Sequence, residues 1–268
     1  MMRARILGAA GLILMATTGC STLKTASLRD ASVLPAGGEE FSFEASGTEH
    51  MPKTVALLAR DDEPAIGRIA DSLGYTGADL RDHEDGFLWG FSYARGFGGG
   101  WEAHGGLNLP ILRGGPWLGD LGLKKRLSTG GKFLLSGYGR IGLGASEGDF
   151  TVFDRQGSTQ DGEYHADAVS AEADLAMIGQ WRRSQNVSFY FNIGPSAAAV
   201  RWSLEDGAPS PAPYREGTVT TFGLKNRFGF VVEFQHYEVL AELGLAIYDR
   251  GLVPSIGIRQ AWKADWKQ

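Results

Sequence analysis

Few side chains in this chain have spacing that could do chemistry. The single cysteine, Cys20, follows Thr17-Thr18-Gly19 at the end of an apolar run over residues 6–16. A lone thiol can be acylated, but it excludes an intrachain disulfide and a thiolate metal cluster. His165 and Asp167 stand two apart. On a strand that spacing puts both on one face, where they could act as an acid–base pair. The run Asp82-His83-Glu84-Asp85 offers a divalent cation weak ligands, and a solvated loop face is the simpler account. The GFGGG run at residues 96–100 is followed by no helix, so it reads as a turn and not as a phosphate cradle. No Ser–His spacing singles out a nucleophile. Neither a metal nor a cofactor is expected, and the chain is expected not to be an enzyme.

The elements that must position these residues are strands. Phe87, Trp89, Phe91 and Tyr93 alternate with Leu88, Gly90, Ser92 and Ala94, so the large rings share one face. After the glycine turn, Trp101, Ala103, Gly105, Leu107 and Leu109 oppose Glu102, His104, Gly106 and Asn108. Further on, Trp117, Leu121 and Leu123 oppose Asp120, Lys124 and Arg126, and Phe189 and Phe191 oppose Ser188, Tyr190 and Asn192. A water-soluble sandwich hides the rings; a membrane barrel turns them to lipid and keeps small and polar groups inside. In the second case the lipid-facing set includes Phe87, Trp89, Phe91, Tyr93, Trp101, Trp117, Phe189 and Phe191. The lumen then receives Glu102, His104, Asp120, Lys124, Arg126, Arg140, Glu172, Asp174, Glu233 and Arg259. Charges of both signs in so narrow a space must pair or meet water, because an isolated buried ion is very costly. A salt-bridged filling that holds the wall rigid is the plain expectation; a thin polar conduit or an internal pocket is the sharper one. Trp89, Trp101, Trp117, Trp181, Trp262 and Trp266 are candidates for interfacial girdles.

Residues 21–38 are polar and small and end in Pro and Gly, which predicts a tether over 20–38. A first strand follows near residues 39–48. Residues 49–85 read as a long loop holding one short helix, with Ile66, Ile69, Ala70 and Leu73 at helical spacing between Pro64 and Gly74. Later strands are expected near 164–181, 187–193, 217–225, 228–247 and 252–263. In the run 228–247 the apolar parity switches, which calls for a bulge near Gln235 and His236 or for two strands in place of one. The total is about ten strands, within a range of 8 to 12. The long connections 49–85, 147–163 and 205–216 fall at one end, and GFGG, STGG, RRSQN and KNRFG are assigned as short turns at the other. Each of the ten strands then pairs antiparallel with its neighbours, giving an all-β, up-and-down barrel over 39–268.

The leader carries the most specific signal. Arg3 and Arg5, the apolar run and Thr17-Thr18-Gly19-Cys20 resemble a bacterial lipoprotein signal, with Thr17 where Leu is usual. The resemblance implies a signal peptide over 1–19, cleavage before Cys20 and acylation of that residue. Ser21 after the cysteine implies sorting to the outer membrane. The apolar run is too short to span a bilayer as a helix. Losing Arg3 and Arg5 leaves 24 basic against 31 acidic residues, a balance of about −7 that argues against a nucleic-acid partner.

In the arrangement of its strands and loops the chain resembles small bacterial outer-membrane β-barrels over about residues 39–266. That resemblance implies short periplasmic turns, longer external loops, both termini in the periplasm, and insertion by the outer-membrane assembly machinery. It departs from the family in ending on Lys267-Gln268 in place of an aromatic residue. The implied function is a lipid-anchored outer-membrane barrel with a structural or narrow-transport role. Two alternatives stand beside it: a periplasm-facing, lipocalin-like carrier with the rings around an apolar ligand, and a rim hydrolase resembling omptins through His165 and Asp167.

Overall fold

A computed structural model of the protein describes residues 28–47, 87–110, 117–153, 160–206, 215–235, 237–248 and 251–264. They form ten antiparallel strands: β1 (Glu39–Gly47), β2 (Phe87–Gly98), β3 (Trp101–Pro110), β4 (Trp117–Gly130), β5 (Phe133–Phe153), β6 (Gln160–Arg182), β7 (Val187–Asp206), β8 (Arg215–Glu233), β9 (Tyr237–Tyr248) and β10 (Gly251–Ala264). Each strand pairs with its sequence neighbours, and β1 pairs with β10 from Glu39↔Ala264 to Gly47↔Ile256, so the sheet closes into an up-and-down barrel. Where all ten strands overlap, closure leaves no edge, which a wall in hydrocarbon requires; among the described residues, β5 beyond Ala145 and β8 before Gly223 are paired on one side only. The expected leader (1–19), Cys20, the loop helix within 49–85 and the Asp82–Asp85 run lie outside the described residues.

The turns at one end are tight. Gly98, Gly99 and Gly100 all have positive φ at the β2–β3 turn, and Gly131 does at β4–β5. A side chain would strain the backbone in that region. The β6–β7 turn is closed by Arg183 and Ser184, whose N–H groups donate to Val187 O at 2.9 and 3.1 Å. The β8–β9 turn is closed by Phe234 N–H donating to Tyr237 O at 2.8 Å. That last turn resolves the parity switch: β8 ends at Glu233 and β9 starts at Tyr237, so there are two strands and no bulge is needed. It also corrects the assignment of KNRFG as a turn. Residues 225–229 are the middle of β8, because Lys225 and Arg227 alternate with Leu224, Asn226 and Phe228 and face inward.

The strands differ in length. β5–β8 run to 21, 23, 20 and 19 residues, whereas β1, β2, β3 and β9 have 9, 12, 10 and 12. About 9–11 tilted residues cross a bilayer. The excess of β5–β8 lies at the long-connection end, where β5 and β6 stay paired up to Phe153↔Gln160.

Outside and inside are inverted relative to a water-soluble protein. Phe91, Leu121, Leu123, Ile141, Leu143, Leu175 and Leu243 are each more than half exposed on the outer face. Trp101, Trp181 and Trp262 lie near the tight-turn end, and Trp89 and Trp117 near the other. An apolar belt between two sets of indoles is stable in a bilayer and not in water. The carrier arrangement, with rings gathered around an apolar ligand, is excluded by this outward orientation.

Within the stretch read as a tether, residues 28–34 run inside the lower half of the barrel from about its mid-height, and residues 35–37 are exposed at the tight-turn end. Leu28, Arg29, Asp30, Ala31 and Val33 are buried there. Their polar composition suits a lumen lined with charge as well as it suits water, so composition alone does not distinguish the two.

Candidate lumen site

The inward parity of the ten strands places two linked groups of ions in the lumen. In the first, Arg140 on β5 and Asp174 on β6 are register partners, and Arg140 Nε donates to Asp174 Oδ2 at 2.9 Å. The same guanidinium pairs with Glu172. Lys225 on β8 crosses β7 to reach Glu172 Oε1 and Asp174 Oδ1, both at 2.9 Å. Arg227 lies 3.8 Å from Asp174 and 4.0 Å from Glu242. Three cations thus meet three carboxylates, all with side chains almost wholly removed from solvent. Beside them, His104 Nε2 lies 3.4 Å from Asp120 and 3.1 Å from the Tyr138 hydroxyl.

The second group surrounds the interior segment. Arg29 Nη1 donates to Glu40 at 3.1 Å and Nη2 to Ser92 Oγ at 2.8 Å. Glu40 also pairs with Arg259 at 2.5 Å, and Arg259 pairs with Glu238. Lys124 bonds Glu102 at 3.0 Å and reaches the Asp30 carbonyl at 3.4 Å. Main-chain groups of the segment are held by wall side chains. The N–H groups of Leu28, Ala31 and Leu34 donate to Glu242 (3.3 Å), Gln180 (3.0 Å) and Glu102 (3.0 Å). The carbonyls of Ala31 and Val33 accept from Ser136 (2.6 Å) and Arg126 (2.8 Å).

Space for the segment comes from small inward residues. A Cβ on Gly257 would approach Leu28 Cδ2 to 2.9 Å. Leu28 itself is the one described non-glycine residue with positive φ, at 48°. It packs in a small apolar cluster with Ala31, Ile178, Tyr190, Val231 and Leu240. Two ion-paired groups, one backbone and this cluster fill the lower lumen.

Of the residues assigned to the lumen from sequence, Glu102, His104, Asp120, Lys124, Arg140, Glu172, Asp174 and Arg259 are inward and buried. Glu233 has inward parity but is only half-buried at the tight-turn end. Arg126 is exposed: the ladder slips between Arg126 and Ser128, and the side chain reaches back over the rim to Val33. On the lipid side, Trp89, Phe91, Tyr93, Trp101, Trp117 and Phe191 are exposed. Phe189 is half-buried between Trp181 and Phe228, with ring centroids 6.4 and 6.3 Å apart. Phe87 starts β2, and its side chain lies outside the described residues. Asp167 is exposed and shares the outward parity of Val169, away from the lumen cluster. Among the described residues, no group of three or more His, Cys, Asp or Glu is arranged to hold a metal.

Glu40, Glu44, Lys225, Arg227, Glu238 and Glu242 were not among the sequence candidates. Alternation alone identifies Glu238 and Glu242, since they oppose Tyr237, Leu243 and Leu245. On the outer wall, glycines at 137 and 139 leave an apolar groove of about 410 Å³ between Leu123 and Leu175.

Comparison with known proteins finds no matching family model and no matching curated protein. Solved structures with a similar barrel include the outer-membrane protease OmpT from Escherichia coli, at 9% identity and a TM-score of 0.43, covering 88% of this chain and 98% of that one. The translocator domain of the autotransporter NalP from Neisseria meningitidis has 11% identity and a TM-score of 0.42, covering 85% and 88%. Ail from Yersinia pestis, in complex with a heparin analogue, has 8% identity and a TM-score of 0.35, covering 85% and 99%. At such scores the likeness carries no functional implication.

Proposed function

We propose that this chain is a lipid-anchored outer-membrane β-barrel, non-catalytic, whose ion-paired and self-filled lumen gives it a structural role in the envelope. One observation carries the reading: rings and leucines coat the outside of a closed sheet while salt bridges occupy its inside. Only a hydrocarbon solvent stabilises that inversion. The tight-turn end faces the periplasm, and the longer connections and the extended β5–β8 face outward. Both Gly38 and Ala264, which bound the barrel strands, then lie on the periplasmic side. Cys20 carries the acyl anchor. It precedes Leu28 by eight residues, so the anchor lies within roughly 26–29 Å of mid-lumen. Envelope insertion is assigned to the outer-membrane assembly machinery.

Fractionation tests this reading. The wild-type protein and Cys20→Ser are both expected in the outer-membrane fraction, each migrating faster on gels when unheated. Recovery of Cys20→Ser as a folded, soluble periplasmic protein contradicts the barrel.

Narrow transport is the second reading, favoured by polar side chains that line part of the lumen beyond the interior segment, among them Asn108, Ser170, Ser196 and Thr221. It requires that segment to move.

A further inference from the structure

Most of the wall groups that hold residues 28–34 also have a partner in the wall; Ser136, which donates to the Ala31 carbonyl alone, is a neutral hydroxyl. Glu40 keeps Arg259 at 2.5 Å, and Lys124 keeps Glu102 at 3.0 Å. Gln180, which accepts from Ala31, itself donates to Ser188 Oγ at 2.9 Å. Glu242, which accepts from Leu28, also accepts from the Tyr190 hydroxyl at 2.8 Å. Ser92 keeps Ser42 at 2.5 Å and Glu44 at 3.0 Å. Removing the segment therefore leaves these buried wall groups with partners, which avoids the large cost of an orphaned buried charge. A strand built into a sheet behaves otherwise, because its departure strands a whole ladder.

The segment is also read in the way a ligand is read. Residues 28–34 join no ladder. Their main-chain N–H and C=O groups are met by side chains, which recognise any extended polypeptide, while the Gly257 recess for Leu28 and the Glu40–Ser92 pair for Arg29 select side chains.

We propose that the lower lumen is a preformed channel for an extended polypeptide, that residues 28–34 are its exchangeable occupant, and that their departure opens a cation-preferring path. The preference follows from the wall. With Arg29, Asp30 and His104 set aside, the buried charges of the described strands are eight carboxylates and five cations, and the part-exposed Lys263 pairs with one of those carboxylates, Glu238. A low-dielectric wall focuses that acidic excess on the path. The proposal rests on the membrane-barrel reading and deepens its transport alternative.

The test is single-channel recording in planar bilayers, in a Cys20→Ser background. The full chain is expected to be closed apart from brief openings. Deletion of residues 28–34 gives a steady current that carries potassium several-fold better than chloride. A synthetic peptide of residues 28–38 blocks that current, and the same peptide with Arg29→Ala blocks about tenfold less well, as loss of a charge-assisted hydrogen bond predicts. A deletion variant that inserts and keeps its heat-modifiable band, yet carries no current or ignores the peptide, overturns the proposal. If the deletion variant does not fold, the full chain with Ala31→Cys and Ser136→Cys decides: these residues already meet at 2.6 Å through O and Oγ. Brief openings that vanish on oxidation and return on reduction support the proposal; an identical record in both states overturns it. Failure of every variant to insert sinks the barrel reading itself.

Discussion

Lys225 on β8 and Asp174 on β6 meet at 2.9 Å across the intervening β7. The contact joins three strands of the wall from the inside, and it is shared with Glu172 and Arg140. Removing one partner of a buried network leaves uncompensated charge, at a cost of about 3–5 kcal/mol. Lys225→Met is therefore expected to lower the temperature at which the folded band is lost on gels. Asp174→Asn should do the same, and the double variant should cost less than the sum of the two. An unchanged transition in Lys225→Met would show that water replaces the ammonium freely.

Glycines on the two faces should respond in opposite ways. A Cβ on inward Gly229 would lie 2.4 Å from Tyr190 Cε1 and 2.5 Å from Ala241 O, and the backbone atom cannot rotate away. On outward Gly137 the nearest atom is Leu127 Cδ1 at 3.6 Å, an ordinary contact. Gly229→Ala is expected to destabilise the barrel strongly and Gly137→Ala to leave it unaffected, by denaturant titration of the refolded protein. Equal effects would mean that the two faces are not packed differently.

The outer belt gives a third prediction. Leu175 is 65% exposed on the outer face of β6, seven residues before the strand's tight-turn end at Arg182. Leu175→Arg should cost about 2–4 kcal/mol in lipid, whereas Leu175→Phe should be near neutral. In a water-facing wall the order reverses.

Much of the barrel was legible because alternation has one meaning per strand. Trp89, Phe91 and Tyr93 against Ser92, and Leu121 and Leu123 against Asp120 and Lys124, each set a strand's orientation without tertiary knowledge. Two features were hidden for physical reasons. Lys225-Asn226-Arg227 is dense in charge, and in water such a run is a turn; in a barrel the same cations are sites for Glu172 and Asp174 on another strand. Residues 28–34 carry no alternation, since they join no ladder and are held by side chains remote in sequence, such as Glu242 and Gln180. Nothing local records that partnership. The site's ionic members were therefore read from β3–β6 and β10 but missed on β1, β9, the interior segment and, apart from Glu233, β8.

The most direct measurement is nitroxide scanning of residues 171–178 on β6 in phospholipid vesicles, one label at a time. Labels at 171, 173, 175 and 177 should collide with dissolved oxygen in the hydrocarbon and escape a water-soluble nickel reagent, while those at 172, 174, 176 and 178 should be shielded from both. A scan without that two-residue period, or one in which the nickel reagent reaches the odd positions, contradicts a lipid-facing wall.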